Sequence, residues 1–337
     1  MEVTTKLDRN FTIKYNQLVS DYGTELAQIN GLSEKQLSLT DFIDAFSQTN
    51  TVADASIDGS ANVRRRDMVS MIHEMPKSEQ KMLAFQKIYI ELNKKYGKQV
   101  ADEWLEKEWD GHLYMHDANT TTFFSYCFAY DLKRMAEEGL FWLEHHNYQP
   151  PKHLVTFIDF VKEFINFTSN RQSGAVGLPN LIPYMYYFWK KDIENGHYYG
   201  TPEKFAKQNI QRFIYAVNQP YVRDGLQSAF TNTSVFDHEY LYALFGSAEF
   251  PDGSLMIDDI EGIMDFQKWY LEELSEIKSK NMFTFPVNSI SILKDKDGNP
   301  VDLEFAQYAI KHNMKWSDSN LFVDDSVTSL SNCCRLK

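Results

Sequence analysis

Apolar residues recur at three- and four-residue spacings along much of the chain, and each such stretch predicts an amphipathic helix. Leu154, Phe157, Ile158, Val161, Phe164 and Ile165 define one side of a helix at about 153–168. Met68, Met71 and Ile72 share a face, and Met82, Phe85, Ile88 and Tyr89 repeat the pattern, so 63–109 reads as helical. The same spacing predicts helices at 180–192, 202–217, 260–278 and 303–314. Between them lie short runs of strand character at 229–235, 285–292 and 320–323, and 113–116 reads as one more short strand. Ser173-Gly-Ala-Val-Gly-Leu-Pro179 reads as a loop between two long helices, its glycines permitting close backbone approach. Short strands alternating with long helices predict an α/β fold with parallel strands. Residues 1–62 read as a loosely packed N-terminal segment with capping patterns at Ser33 and Thr40. Residues 63–337 show no repeat, low-complexity tract or linker and read as one larger domain or part of one.

Composition narrows the function. Hydrophobic residues make up 43% and charged residues 24% of the 337 positions, which excludes disorder over most of the chain. No run approaches the about 18–20 apolar residues of a membrane helix. The N-terminus lacks the apolar region of a signal peptide, so a cytoplasmic location without membrane partners is expected. The net charge of −13 argues against nucleic-acid binding, which draws its affinity from neutralised phosphates. It leaves room for a small phosphorylated ligand, which needs only a few local donors.

Chemistry-bearing residues are few. Cys127 stands in the aromatic run Phe123-Phe-Ser-Tyr-Cys-Phe-Ala-Tyr130, where a buried structural thiol is the simplest reading. Cys333 and Cys334 stand in a Ser/Asn-rich segment beside Arg335, a setting that favours the thiolate. No metal site is expected: His112 and His116 fall in a strand-like run with no third ligand at short spacing. The stretch 218–234 gathers amides, hydroxyls and Arg223, which a polar ligand or a backbone network must satisfy.

Six motifs occur in one order: Asn50-Thr-Val-Ala-Asp-Ala-Ser-Ile-Asp-Gly59, Gly111-His-Leu-Tyr-Met-His-Asp117, the 173–179 loop, Asn218-Gln-Pro220 with Gln227-Ser-Ala-Phe-Thr-Asn-Thr-Ser-Val-Phe-Asp237, Phe285-Pro-Val287 and Ser329-Leu-Ser-Asn-Cys-Cys-Arg-Leu336. In this the chain resembles the catalytic subunit of anaerobic (class III) ribonucleotide reductases, over about residues 50–336. The resemblance implies the first half of a ten-stranded α/β barrel, preceded by a helical N-terminal segment. It further implies a finger loop ending at Cys333 and Cys334, with Cys334 the radical-bearing thiol and Cys333 the alternative. Asn332 matches an Asn found two residues before that thiol in related enzymes. Cys127 falls on the first barrel strand, near 123–128, where the family places a second active-site cysteine. By the same resemblance Gln227, Ser228, Thr231 and Asn232 belong to a substrate or barrel-mouth network. Ser173, Gly174 and Gly177 belong to a loop that passes information from a deoxynucleotide effector to the substrate.

The implied partners are a ribonucleotide substrate, deoxynucleotide or ATP effectors, a radical-SAM activating enzyme and a second copy in a homodimer, with helices 153–168 and 180–192 as candidates for the dimer interface. The family's glycyl-radical segment and cysteine zinc cluster belong to a C-terminal half that this sequence does not show, and its ATP-binding module is not evident in residues 1–50. No cofactor is therefore expected within this chain, which reads as an incomplete or split subunit, silent without its C-terminal half. A catalytically silent nucleotide-binding half and another glycyl-radical enzyme of the same barrel are the alternatives.

Overall fold

The computed structural model describes residues 8–23, 77–115, 118, 125–143, 149–219, 222, 228–281 and 283–328. The capping patterns at Ser33 and Thr40, the apolar triplet Met68, Met71 and Ile72, and the motif at 50–59 lie outside the described residues. Described residues up to Tyr126 form one compact unit, and those from Cys127 onward form another.

The first unit is helical. Helix α1 (Arg9–Tyr22) starts where the Asp8 carboxylate accepts the amides of Asn10 and Phe11, satisfying two of the donors that every helix start leaves open. Helices α2 (Lys77–Tyr96) and α3 (Lys98–Trp109) cover the described part of the region expected to be helical. They are broken at Gly97, whose φ of 91° is a conformation an L side chain resists. Phe11, Tyr15, Leu18, Phe85, Tyr89, Leu105 and Trp109 close a small core. The strand expected at 113–116 is not formed over its described residues, 113–115. After α3 the chain turns at Gly111 (φ 83°), the Leu113 amide returns to the Lys107 carbonyl at 2.9 Å, and Tyr114 is 73% exposed. Alternation alone did not make a strand there, because among the described residues no neighbouring strand pairs with it.

The second unit holds the sheet. Strands β1 (Phe128–Ala129), β2 (Val176–Leu178), β3 (Thr231–Phe236), β4 (Val287–Leu293) and β5 (Ser319–Asp324) lie side by side in chain order, and every pairing is parallel. Parallel neighbours need long crossovers, and helices supply them. These are α4 (Lys133–Glu138) and α5 (Leu154–Ser169) before β2, α6 (Leu181–Glu194) and α7 (Pro202–Val217) before β3, α8 (His238–Phe245) and α9 (Ile260–Lys280) before β4, and α10 (Leu303–Trp316) before β5. The α/β expectation is met, and β3, β4 and β5 fall within two residues of their expected positions. The 173–179 segment departs from its loop reading: Val176 and Gly177 are paired on both sides, with Phe128–Ala129 and with Thr231–Asn232, and Leu178 is paired with Thr233.

Register and alternation divide the strand residues between two faces. On one face Val176, Leu178, Val235, Ile290 and Ile292 pack into a core with the apolar stripes of α5, α6, α7, α9 and α10. There the buried Tyr270 of α9 donates to Thr233 Oγ1 at 3.0 Å, marking it as the helix-covered face. The opposite face carries Gly177, Asn232, Ser234, Ser289 and Ser291, all buried. Parallel sheets usually read as continuous hydrophobic runs, so small polar groups in these positions set this face apart.

Because β2 is only three residues long, the upper part of β3 has no strand beside it on that edge. Gln267 of α9 fills the gap: its Nε2 donates to the Phe236 carbonyl and its Oε1 accepts the Phe236 amide, each at 2.9 Å. Asp237 then ends the strand, with one oxygen capping α8 through the Tyr240 amide and the other accepting the Leu293 amide. Among the described residues no helix is long and apolar enough to cross a membrane.

Candidate functional site

Cys127 immediately precedes β1. Its Sγ accepts the backbone amide of Ala175 at 3.1 Å, a contact between residues 48 positions apart. The neighbouring ladder fixes this approach: the Phe128 amide donates to the Ala175 carbonyl, the Tyr130 amide to the Gly177 carbonyl, and the Val176 amide to the Phe230 carbonyl. Alternation through Phe128 and Ala129 puts Cys127 on the side of Ala129, which is in register with Gly177 and through it with Asn232. The thiol thus belongs to the polar face rather than to the helix-covered core, and it is half-buried.

Residues 172–178 are buried throughout. The Tyr130 hydroxyl donates to Gln172 Oε1 at 2.9 Å, which ties the start of this segment to the end of β1. Burial raises the Tyr130 pKa, so the phenol is kept as a donor. Asn180 makes a second tie past β2, donating to Asp131 Oδ1 at 2.6 Å and accepting the Leu132 amide at 3.2 Å. Ser173, Gly174 and Gly177 are therefore brought beside Cys127 by the β1–β2 pairing. Gly177, directly opposite Asn232, leaves that part of the face without a side chain.

The residues of the expected substrate network separate. Asn232 is on the polar face, where its Nδ2 donates to the Val287 carbonyl at 3.0 Å and to Ser289 Oγ at 3.2 Å. Thr231, one position earlier, is opposite Val176 on the other face, and its buried hydroxyl has no partner. Ser228 donates to the Asn218 carbonyl at 2.9 Å. Asn218 in turn donates to the Phe285 carbonyl at 2.6 Å and accepts the Phe285 amide at 3.0 Å, so one side chain fixes the approach to both β3 and β4. This satisfies the described part of the 218–234 amide and hydroxyl cluster largely by backbone bonds. Gln227, Asn332, Cys333 and Cys334 lie outside the described residues, as does the expected meeting of Cys127 with the finger-loop thiols.

Sequence reasoning passed over Ser234, Ser289 and Ser291. The Ser291 hydroxyl is buried with no partner, a group a ligand or water can engage. The signal was present in Asn288-Ser-Ile-Ser291, where a small hydroxyl at every second position predicts a polar strand face. Together, a thiol, two asparagine or serine ladders and a side-chain-free glycine position make a surface suited to a polyhydroxylated ligand held by hydrogen bonds, with the thiol at its edge.

The model of the anaerobic ribonucleoside-triphosphate reductase family matches residues 75–337. Among solved structures, the anaerobic ribonucleotide reductase from Thermotoga maritima in complex with dATP and CTP is 36% identical, with a TM-score of 0.82 over 100% of this chain and 53% of that one. The same enzyme with dATP bound in the specificity site is 35% identical, with a TM-score of 0.80 over 97% of this chain and 52% of that one. A further anaerobic ribonucleotide reductase is 37% identical, with a TM-score of 0.82 over 100% of this chain and 52% of that one. The chain thus spans about half the length of the solved structures it matches. No curated protein matches it.

Proposed function

The chain belongs to the anaerobic ribonucleoside-triphosphate reductase family, and from that premise we propose that it forms the N-terminal part of a catalytic barrel, over residues 63–337, that reduces ribonucleotides to deoxyribonucleotides by thiyl-radical chemistry. The observation that carries the reading is the seating of Cys127: a half-buried thiol held by the Ala175 amide at the edge of the polar sheet face.

In the proposed reaction the thiyl form of Cys334 takes the hydrogen atom from C3′ of the ribose and becomes a thiol. Cys127 donates a proton to the 2′-hydroxyl, which leaves as water. A reductant, formate or a thioredoxin-like protein in different branches of the family, supplies the two electrons, and a second proton, drawn from solvent, becomes the hydrogen that replaces the hydroxyl at C2′. Return of a hydrogen atom to C3′ regenerates the thiyl. Asn332 holds the sugar hydroxyls, with Gln227, Ser228, Asn232, Ser289 and Ser291 completing the polar surface. The glycyl-radical segment, in the other part of the enzyme with its zinc cluster, supplies the oxidising equivalent for the thiyl after activation by a radical-SAM enzyme. Relatives carry dATP in their specificity site, and a deoxynucleotide effector is proposed here between α5 and α6 of two copies. The 173–177 segment couples it to the substrate through the tie at Tyr130 and Gln172.

The test is turnover in the assembled reductase, with the glycyl-radical part and activase present. Cys127→Ser should lower deoxynucleotide formation by at least ~10²-fold, the scale of general acid catalysis, with nucleotide binding unchanged. Wild-type turnover in Cys127→Ser would overturn the role of this thiol.

A further inference from the structure

Three side chains outside this site converge where α5 begins and α6 ends. His153 is the residue before α5, Asp192 is in the last turn of α6, and His197 follows in the next loop. His153 Nδ1 is 2.6 Å from Asp192 Oδ1, and the two rings meet edge to face with centroids 5.0 Å apart. One ligand atom from each residue lies within 4.8 Å of the others. The carboxylate is 2% exposed and the His153 side chain 45% exposed, so the cluster has a fixed acidic floor and an open imidazole rim.

We propose that His153, Asp192 and His197 bind a divalent transition-metal ion of the zinc class. Two imidazoles and one carboxylate are the donor set such ions favour, whereas calcium and magnesium select all-oxygen shells. Donors on one tetrahedral ion with bonds of about 2.0–2.2 Å stand roughly 3.3–3.6 Å apart. The widest separation here closes to that span by rotamer adjustment of exposed imidazoles. The short His153–Asp192 contact opens as the imidazole takes the tautomer with its proton on Nε2, which frees Nδ1 and Oδ1 to face the ion. Asp192 is already oriented for this: its Oδ2 accepts the Leu154 amide at 2.9 Å, and its backbone carbonyl accepts the His197 amide at 2.8 Å. Those bonds correspond to the outer contacts that aim a ligating carboxylate. Capping α5 explains Asp192 alone. It does not explain the second imidazole, which among the described residues has no hydrogen-bond partner. Three protein ligands leave a fourth position to water. The bound ion would tie the start of α5 to the loop after α6, stiffening the ends of the two helices.

Equilibrium dialysis of the tag-free full chain against Zn²⁺ alone tests this, with Co²⁺ as the spectroscopic probe. Cysteine thiolates also capture zinc, so the measurement is made in a Cys127→Ser, Cys333→Ser, Cys334→Ser background. One ion per chain should remain, Co²⁺ should give visible d–d absorption without a sulfur charge-transfer band, and His153→Gln or His197→Gln should each weaken binding by at least ~10-fold. His197 is exposed, so His197→Gln should keep the parent's metal-free melting temperature while losing the rise that Zn²⁺ gives the parent. Loss of all binding on removing the cysteines, or unchanged affinity in both histidine variants, would overturn the proposal.

Discussion

Replacing Gln267 with Leu tests the idea that a side chain stands in for a missing strand. Gln267 is fully buried, and its amide makes both the donor and the acceptor contact with the backbone of Phe236. Pairing of β2 with β3 ends at Leu178 and Thr233. The Asp237 amide points to Ser291 on β4, so that of Phe236 points to the side where β2 has ended. Leucine leaves one buried N–H and one buried carbonyl unpaired, at about 1–3 kcal/mol each. The expected loss is therefore about 2–6 kcal/mol, reduced somewhat by the leucine's own apolar burial. For a unit of this size each kcal/mol moves Tm by about 2–4 °C, so a fall of roughly 5–20 °C should appear in a reversible circular-dichroism melt or its urea equivalent. Gln267→Glu adds a sign test. Ionised, its second oxygen faces the Phe236 carbonyl, whereas the protonated acid can donate to it. Burial raises such a carboxyl's pKa in the folded state, so stability should be present at acidic pH and lost as pH rises through that value. A Gln267→Leu protein within ~0.5 kcal/mol of the parent would refute the reasoning, since nothing else on the described part of that edge satisfies Phe236.

Gly262→Ala should cost about 1–3 kcal/mol by overpacking, because a Cβ there would overlap the Tyr186 ring across α6 and α9; a neutral denaturation curve would contradict this. At His238 burial opposes protonation, but hydrogen bonds to the Asp302 and Glu261 carboxylates outweigh it and raise the pKa. For Asp302 burial acts upward, but the hydrogen bonds from His238 and Phe305 hold its pKa down. The pair's contribution is thus fully present between about pH 4 and 6.5, lost below as Asp302 protonates and lost above as pH passes the raised histidine value. Parent-minus-His238→Gln stability should fall between neutral and alkaline pH, and a difference that grows there would be wrong in sign. In the assembled reductase Cys334→Ser should abolish turnover with nucleotide binding intact; activity in Cys334→Ser and none in Cys333→Ser would move the radical by one residue, and activity in both would end the thiyl reading. Replacing Gly174 and Gly177 with larger residues should impair the effector's control of substrate choice more than effector binding, and an unchanged response would make the segment structural only.

The helices were legible because each carries a continuous apolar stripe: α5, α6, α7, α9 and α10 begin and end within two residues of the expected spans. Strand β2 was hidden. Val176-Gly-Leu178 has no periodicity of its own, and two nearby glycines look like a turn until Phe128 and Thr231 are known to flank it. Helix α8 was missed because eight residues are too few for a stripe, although Asp237 before Tyr240 is a capping signal. Motif order led to Cys127, Gly177 and Asn232, but the contact between Cys127 and Ala175 depends on non-local pairing that no local pattern records. In the sequence Thr231 and Asn232 stand as one group, and only the strand's two-residue period divides them.

The small hydroxyls and amides of the polar sheet face bear on exchange as well as on the proposed recognition. A surface made by Asn232, Ser234, Ser289 and Ser291 can be wetted at little cost, since water replaces a departing ligand's hydrogen bonds nearly one for one. A leucine-lined face of the same shape would have to dewet or collapse each time it emptied. In the proposed reaction, product can leave and substrate return without repacking the strands, because Val176, Leu178, Val235, Ile290 and Ile292 hold them against the helices on the other side. On that proposal the sheet gives the middle of one face to solvent traffic, while the opposite face and Phe236 at the strand end hold the same five strands together.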